Sequence, residues 1–337
     1  MLSLSAATTD VDFVDACFMI LLARPSDADG RNFHLASLQA GTSRLAVIDA
    51  FLSCDEFKAR NRANQWVPAG HFYSPLPSLD EVEAHRLKTS RHDLIPGVDL
   101  QEVEQLALLE QFKPFYRTIP FRDGPAPGLR YKYQNSSFPN GDAIALHCML
   151  RHLKPSRFIE VGCGNSSCVT LDTVEQFLDN KVKLTFIEPY PQFFNSLVFP
   201  QDLERVTLIP SRLQDVPLAV FEELGPRDIL FIDSTHVAKL DSDVNHFLFE
   251  IFPRLKPGVF IHIHDVFFPF EYPQEWLEEG RGWNEQYILR AFLQFNPNFK
   301  IRFFNTFLFE KHRDWFEAHM PDCLKRPGGS IWLEKVD

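Results

Sequence analysis

The chain has 337 residues, of which 45% are hydrophobic and 23% charged, and its formal net charge is −11. This length allows one large domain with additions or two domains, and the composition is that of an ordinary soluble globular protein. The negative charge disfavours nucleic acid as a partner, because affinity for phosphate backbones comes largely from basic surface. The 33 phenylalanines favour a phenylalanine-rich core over an aromatic substrate pocket.

The N-terminus, MLSLSAATTDVDF, has no basic region followed by an apolar core, so we expect no signal peptide. The apolar run at 16–23 is too short to cross a bilayer, and no membrane partner is expected. Six scattered cysteines without CxxC spacing are typical of reduced thiols rather than of a disulfide framework. The sequence therefore predicts a cytoplasmic protein, and it leaves the oligomeric state open.

Residues 1–62 are predicted to form a small helical module. DVDFVDACFMILLAR has helical spacing and stops at the turn cluster PSDADG, and a second helix is expected through RNFHLASLQA. Thr42 and Ser43 are plausible caps for the helices that follow. The stretches LLARPSDADG and LQAGTSRLAVIDAFLSCDEF resemble a small bacterial helical domain of unknown function, and the likeness implies no chemistry.

Residues 63–130 are proline-rich and irregular, as in VPAGHFYSPLPSLDE and KPFYRTIPFRDGPAPG. Such segments usually cross a neighbouring domain as connectors or lids. Two stretches, HFYSPLP and YKYQNSSF, are candidates to close over a ligand. The side chains that we expect to contact it are Tyr73, Tyr131 and Asn135.

Residues 131–337 are predicted to form an α/β domain. Strand candidates are RFIEVG, KLTFIEP, RVTLIP, DILFID, GVFIHIHD, FKIRFFNTFLFE and GSIWLEKV. Helices fit at 166–180, 191–199, 215–224, 237–255 and 283–294. This order predicts a doubly wound, mostly parallel, seven-stranded Rossmann-like sheet, with ligands at the carboxyl ends of its strands. The last two strands follow each other without an evident crossover helix, so we expect them to pair antiparallel.

The stretch RFIEVGCGNSSCVTL ends a predicted strand with a carboxylate, two glycines and a row of small polar residues. Gly162 and Gly164 allow a sharp turn beneath a ligand, and the next helix offers free N–H groups. Dinucleotide fingerprints have a third glycine where this chain has Ser167. Glu160 disfavours a phosphate and suits an ammonium group, so the pattern favours S-adenosylmethionine. The remaining polar residues of the row are Asn165 and Ser166.

The second strand ends in Glu188, within LTFIEPYP. An acidic side chain at this place can accept hydrogen bonds from both ribose hydroxyls. Together with the glycine turn, it predicts a nucleoside cofactor in a strand–helix–strand frame. A nicotinamide-dependent oxidoreductase is less favoured, because the third glycine is missing.

Residues 155–335 resemble a class I S-adenosylmethionine-dependent methyltransferase. IEVGCGNSS stands at the glycine-rich first motif, FIEP at the ribose-binding acid, DILFIDSTH at the fourth-strand motif and LKPGVFIHIHD at the fifth strand. The likeness is greatest to a branch with IDG-H and HD motifs that includes sugar and natural-product methyltransferases. Ser234 and Thr235 stand where that branch often has glycine and aspartate.

By this resemblance, Glu160 and the two glycines line the methionine side of the cofactor, and Glu188 holds the ribose. The stretch SRLQD, which ends in Gln214 and Asp215, approaches the adenine. Asp233 lies near the methionine moiety and the transferred methyl group. These assignments are expectations that the resemblance implies.

Methyl transfer is an in-line displacement at a sulfonium carbon, so the enzyme mainly holds two reactants close and aligned. A hydroxyl acceptor also loses a proton, to a general base or with the help of a metal ion. The predicted bases are His264, Asp265 and His236. The alternative is a metal held by Asp233, His264 and Asp265, where histidine suits manganese, iron or zinc better than magnesium. His262, part-way along a strand, is expected to be structural.

The stretch FFPFEYPQEWLEEGRGWNEQYILRAF follows the fifth strand and is expected to overhang the acceptor. The residues predicted to line a polar acceptor pocket are Glu271, Tyr272, Arg281, Trp283, Asn284 and Tyr287. We expect a small acceptor such as a sugar, glycan precursor, amino acid or natural product, methylated on oxygen rather than nitrogen. Two alternatives are an iron-dependent hydroxylase that uses HIHD and a non-catalytic binding module with a methyltransferase fold.

Overall fold

The computed structural model describes residues 9–60, 67, 69–88 and 94–337. The sequence predictions for residues 1–8 and for parts of the proline-rich connector lie outside the described residues. The chain divides into two units, Met1–Leu87 and Lys88–Asp337. Within the described ranges, no helix has both the length and the apolar composition that a membrane span requires.

The first unit is helical, as predicted. Its helices are α1 (Asp10–Leu21), α2 (Ala28–Gln39), α3 (Arg44–Ser53) and α4 (Asp55–Arg60), and α5 (Leu79–Lys88) ends at the boundary between the units. Thr9, Asp27 and Ser43 are the N-caps of the first three helices, and each side chain accepts a hydrogen bond from an N–H group of the first turn. The cap of α3 is thus Ser43 rather than Thr42. Phe18 and Phe51 pack edge to face in the small core.

The second unit contains a seven-stranded sheet. Its strands are β1 (Arg157–Val161), β2 (Lys183–Ile187), β3 (Thr207–Ile209), β4 (Ile229–Ile232), β5 (Phe260–His264), β6 (Phe299–Phe304) and β7 (Ser330–Lys335). Their order is β3-β2-β1-β4-β5-β7-β6, and β7 pairs antiparallel with both β5 and β6 while the other pairs are parallel. The predicted doubly wound, mostly parallel Rossmann-like fold is confirmed.

Helices cover both faces of this sheet, whose central strands are buried. They are α6 (Glu102–Tyr116), α7 (Asn140–Leu153), α8 (Asn165–Phe177), α9 (Gln192–Leu197), α10 (Ala219–Glu222), α11 (Asp243–His246), α12 (Gln274–Glu278), α13 (Glu285–Leu293), α14 (Asn305–Lys311) and α15 (Arg313–His319). Helix α11 continues through a π-helical turn at Phe247–Ile251 into a 3-10 turn at Phe252–Arg254.

Helix α6 lies in a stretch that the sequence analysis treated as irregular. Its buried residues Gln105, Leu109 and Phe112 recur at helical spacing, and this pattern was outweighed by the prolines on either side. The side chain of Gln105 accepts a hydrogen bond from the Phe304 amide at 2.6 Å. This part of the predicted connector therefore packs against the sheet.

The predicted strand FKIRFFNTFLFE is wrong in its second half, because β6 ends at Phe304 and α14 begins at Asn305. The prediction that no helix separates the last two strands is also wrong, since α14 and α15 lie between them. The Asn305 side chain holds the turn by accepting the amide of Ser330 and donating to the carboxylate of Asp142. A short aromatic-rich run fits either helical or strand periodicity, so such contacts decide the outcome.

Candidate active site

A tight turn after β1 brings the carboxyl ends of β1, β2 and β4 together. Gly162 has a φ of +82°, and a Cβ at this position would lie 1.7 Å from the carbonyl oxygen of Asp233. Its N–H donates to the carbonyl of Ile187, and the N–H of Asp233 donates to the carbonyl of Val161. Only glycine fits here. By contrast, Gly164 has a φ of −176°, which is extended backbone that any residue adopts.

Glu160 lies buried at the end of β1, beneath the start of α8. One carboxylate oxygen accepts a hydrogen bond from the hydroxyl of Ser166, and the other has no partner among the described residues. Burial raises the pKa of Glu160 to about 8, against the opposing effect of hydrogen bonds from Ser166 and Ser167. The buried carboxyl group therefore has an unused acceptor beside the glycine turn.

A cavity of about 360 Å³ opens at this edge of the sheet. Its lining consists of Val161, Gly162, Ile187, Glu188, Pro189, Tyr190, Ser211, Arg212, Leu213, Gln214, Asp233, Ser234, Thr235 and Asp243. Four of the predicted cofactor residues are among them: Gly162, Glu188, Gln214 and Asp233. Tyr190 and Leu213 also line the cavity; they lie within the stretches LTFIEPYP and SRLQD but are not among the residues predicted individually.

Glu188 joins the end of β2 to the glycine turn. Its carboxylate accepts hydrogen bonds from the amides of Cys163 at 3.2 Å and Tyr190 at 2.8 Å. The side chain is partly exposed to the cavity. It is therefore held rigidly with oxygen atoms at the wall, as a ribose-binding acid requires.

The stretch 131–138 contacts the start of α8, where the Asn165 side chain donates to the hydroxyl of Ser137 at 2.9 Å. Tyr131 is buried, and its hydroxyl donates to the carbonyl of Phe138. Asn135 accepts the amide of Phe138 and donates to the same residue's carbonyl. Both side chains thus build this loop rather than line the cavity, because their polar atoms are already used within it.

Two other predicted cofactor residues are exposed at the surface of their own units. Asp215 pairs with Arg212 at 2.9 Å and is not among the lining residues. Tyr73 is an exposed residue of the first unit. Its contact with a cofactor stays a prediction.

Two carboxylates and an imidazole meet where the loops after β4 and β5 approach each other. The acid–histidine cluster, as we name it, consists of Asp233, His236 and Asp265, whose ligand atoms all lie within 4.8 Å of one another. The Nε2 atom of His236 is 3.4 Å from Asp233 Oδ1 and 3.6 Å from Asp265 Oδ2. Asp233 also lines the cavity, so the cluster adjoins it directly.

His236 occupies the place in this cluster that the sequence analysis gave to His264. His264 ends β5, is buried and packs its ring against Phe138 at 5.2 Å. Its Nε2 atom is 3.7 Å from Asp265, and its Nδ1 atom has no partner among the described residues. The strand fixes the direction of His264, whereas the loop after β4 turns His236 back toward the sheet edge.

The backbone at both loop residues of the cluster is left-handed. His236 has a φ of +59° and Asp265 a φ of +54°, a region that non-glycine residues occupy at a cost of about 1–3 kcal/mol. The carbonyl of His236 accepts the amides of Asn284 and Glu285, and the amide of Asp265 donates to the carbonyl of Gly329. Such held strain is typical of functional sites.

The ionisable side chains of the cluster shift one another's pKa values. Burial by itself lowers the pKa of His236, but hydrogen bonds to Asp233 and Glu285 raise this pKa well above its usual value. Burial raises the pKa of Asp265, whereas the nearby histidines outweigh burial and lower the pKa of Asp233. A cationic imidazole between carboxylates, or a metal ion in its place, balances these charges.

The histidines of HIHD do not form a set of iron ligands. His262 is buried, stacks on Phe231 at 3.9 Å and contacts Trp332, and neither of its ring nitrogens has a partner among the described residues. Burial lowers its pKa well below the usual value, so it is neutral. Neither His262 nor His264 belongs to the group of closely spaced ligand atoms, so the geometry does not support the iron-dependent hydroxylase.

Some of the predicted acceptor residues have rings or charged groups near the acid–histidine cluster or at the surface, and the others hydrogen-bond within loops. Trp283 packs its ring 4.4 Å from His236, and the guanidinium of Arg281 lies over Trp276 at 4.3 Å and over Trp283 at 5.1 Å. These residues flank the acid–histidine cluster. The hydroxyl of Tyr287 donates to Glu271 nearer the surface.

The other predicted acceptor residues hold loops in place. Asn284 accepts the amide of Ala238 at 2.6 Å, and the buried hydroxyl of Tyr272 accepts the amide of Gln286. Trp276, which was not predicted as an acceptor residue, lies in the stretch FFPFEYPQEWLEEGRGWNEQYILRAF and packs against Trp283 at 5.1 Å. Glu285 was not predicted either, and its pairing with His236 depends on contact between distant loops.

Comparisons with known proteins agree with this geometry. Residues 159–266 match the family model of a methyltransferase domain, and residues 3–61 match that of a domain of unknown function, DUF4214. An uncharacterized protein of Archaeoglobus fulgidus is 34% identical over 164 residues, which make up 47% of this chain and 73% of that protein. The methyltransferase match covers the cavity-lining motifs of β1, β2 and β4.

Solved methyltransferase structures are similar at lower identity. The SAH-bound methyltransferase PaMTH1 of Podospora anserina is 17% identical, with 78% of this chain and 98% of that chain covered and a TM-score of 0.38. The O-methyltransferase TomG of Streptomyces achromogenes, in complex with SAM, is 13% identical, with 77% and 96% covered and a TM-score of 0.39. The assignment rests on the family match and the sheet order: the second unit contains a domain of the methyltransferase family at residues 159–266, and a DUF4214 domain precedes it at residues 3–61.

Proposed function

We propose that the protein transfers the methyl group of S-adenosylmethionine to a hydroxyl group of a small polar acceptor. One observation carries this proposal: Asp233 lines the cavity beside the glycine turn and also belongs to the acid–histidine cluster. The cofactor cavity and the candidate proton-accepting groups thus meet at one residue. This is the arrangement that an in-line transfer between two bound reactants requires.

The residues around the cavity fit the cofactor of the family. The volume of about 360 Å³ lies in the range of small-ligand sites. The unpartnered oxygen of Glu160 suits the ammonium group, and Glu188 suits the ribose hydroxyls. When bound, S-adenosylmethionine supplies an electrophilic methyl group on a sulfonium. The task of the chain is to orient this group and to keep water from the acceptor.

On the acceptor side, the Nε2 atom of His236 faces the gap between two carboxylates. In its neutral form, the imidazole can accept the hydroxyl proton at Nε2, and the adjacent carboxylates stabilise the resulting cation. Because the pKa of His236 is raised, this neutral form is populated at alkaline pH. The same three side chains also fit a divalent metal ion, and a site with one imidazole suits manganese, iron or zinc better than magnesium. A metal there would lower the pKa of the acceptor hydroxyl.

The surroundings of the cluster indicate the kind of acceptor. Trp283 offers an aromatic face beside His236, and Arg281, which pairs with Glu279, places its guanidinium over Trp283. These groups suit a sugar, glycan precursor, amino acid or natural product with a free hydroxyl. Nitrogen acceptors are less favoured, because the cluster is built to remove a proton from a weak acid.

The direct test is transfer of a labelled methyl group from S-adenosylmethionine to a panel of sugars, hydroxy amino acids and phenols. The enzyme is assayed after treatment with EDTA and again with magnesium, manganese or zinc added. We expect labelled product from the native chain and from Glu223→Gln, an exposed position at the far end of the sheet. A reduction in the rate of product formation of about 100-fold or more in both His236→Gln and Asp265→Asn, with residual turnover still measurable, supports the proposal.

A smaller reduction in both variants contradicts the proposal. Activity restored by metal after EDTA selects the metal-assisted form, and activity unaffected by EDTA selects the imidazole base. Binding of S-adenosylhomocysteine without transfer to any acceptor favours the non-catalytic binding module.

A further inference from the structure

The segment at the start of α13 holds both loops that carry the acid–histidine cluster. The amides of Asn284 and Glu285 donate to the carbonyl of His236 at 3.1 and 3.2 Å. The side chain of Gln286 accepts the amide of Phe267 at 3.1 Å, two residues beyond Asp265. This segment therefore sets the distance between the loop after β4 and the loop after β5.

Glu285 contacts the cluster directly. Its Oε2 atom lies 2.7 Å from the Nδ1 atom of His236, and both side chains are buried, with 1% and 4% of their surface exposed. A carboxylate only accepts hydrogen bonds, so Nδ1 is the donor in this pair. The Nε2 atom is then the ring nitrogen that faces Asp233 and Asp265.

Helix stability alone does not account for this carboxylate. An acidic residue in the first turn stabilises a helix only weakly near the surface, whereas burial of a charge is far more costly. The Oε1 atom of Glu285 is buried without a partner among the described residues. The bond to His236 is the contact that offsets this cost.

We propose that Glu285 is a positioning residue for His236, which it holds with Nε2 directed at the acceptor side of the cluster. This inference rests on the proposed function, because it concerns the same site. Carboxylates that hold the far nitrogen of a functional imidazole typically change affinity or activity about 10- to 100-fold when they are removed. Glu285 acts through His236, so its effect depends on the presence of that ring.

The test is a double-mutant cycle on the full chain, with an acceptor identified by the labelled-methyl assay. We expect Glu285→Gln to lower kcat about 10- to 100-fold, with the KM for S-adenosylmethionine changed less than about 2-fold. In the His236→Gln background, the same change should cost less than about 2-fold. Glu285→Asp should recover part of the activity, and Glu223→Gln is the matched control. Equal losses in both backgrounds would overturn the proposal.

A second measurement needs no acceptor. In protein with ¹⁵N-labelled histidine, the native chain should show a hydrogen-bonded Nδ1 proton of His236, assigned by its absence from His236→Gln. In Glu285→Gln, this signal should shift or vanish while the far-UV circular dichroism stays the same. An unchanged signal contradicts the positioning role. If S-adenosylhomocysteine binds but no acceptor is methylated, the proposed function fails, and the NMR result still decides the role of Glu285.

Discussion

Glu160 is a buried residue of the site, and its raised pKa makes the stability of the folded protein depend on pH. Between the ordinary value of 4.5 and about 8, the unfolded chain has released the proton that the folded chain still holds. The contribution of Glu160 to stability therefore becomes less favourable as the pH rises through this window.

We expect Glu160→Gln to match the native chain near pH 4.5 and to become more stable than it by pH 8. The amide keeps an acceptor for Ser166 and cannot ionise. Denaturant unfolding at several pH values measures this difference. A difference between the two chains that is constant with pH would show that Glu160 titrates normally in the folded protein.

His262 allows a second prediction at the scale of one residue. It is neutral and buried against Phe231, and both ring nitrogens lack partners among the described residues. An unsatisfied buried polar group costs about 1–3 kcal/mol, so His262→Phe should raise the free energy of unfolding by about 1–2 kcal/mol. Denaturant titration of both chains measures this difference in the free energy of unfolding.

The matched control is His147→Phe. The Nδ1 atom of His147 is hydrogen-bonded to the hydroxyl of Thr173 at 2.9 Å, so this change should lower stability instead. A loss of stability in His262→Phe of the same size as in the control would contradict the account.

At the scale of elements, the turn between β1 and α8 depends on the approach of β4. A methyl group at Gly162 would overlap the carbonyl of Asp233. The backbone at this position is also left-handed, which disfavours any residue with a side chain. We expect Gly162→Ala to weaken S-adenosylhomocysteine binding more than about 100-fold and to lower the melting temperature. Gly164→Ala, at an extended position where the added Cβ would meet only the exposed side chain of Phe193 at 3.3 Å, should bind within about 5-fold of the native chain. Equal effects of the two substitutions would show that the close contact with β4 is unimportant.

The elements also show what local sequence can predict. The strands were predictable because each is a short apolar run bounded by turn residues, and their mostly parallel, doubly wound arrangement followed from the alternation with helices. The helix that begins at Asn305 was not predictable in this way, because the apolar residues of NTFLFE fit a helix and a strand equally well. The hydrogen bonds of Asn305 to Asp142 and Ser330 decide its conformation. Helix α6 was not predicted, because the prolines around it favoured an irregular segment despite the helical spacing of its buried residues.

At the scale of the whole molecule, the two ends of the site differ in how well the sequence predicts them. Gly162, Glu188 and Asp233 each end a strand or follow it directly, so a parallel sheet brings them to one edge. The cluster of His236 with Glu285 joins residues that are distant in the chain, through loops whose conformation no local pattern specifies. His264 was therefore preferred over His236 as a ligand.

The cavity should bind S-adenosylmethionine through Glu188, and calorimetric titration with S-adenosylhomocysteine measures this binding. We predict a dissociation constant of about 1 μM or tighter for the native chain, a loss of at least about 100-fold in Glu188→Ala, and no loss in the control Glu223→Ala. NAD should not bind. Absence of S-adenosylhomocysteine binding, binding that survives Glu188→Ala, or binding of NAD instead would contradict the account.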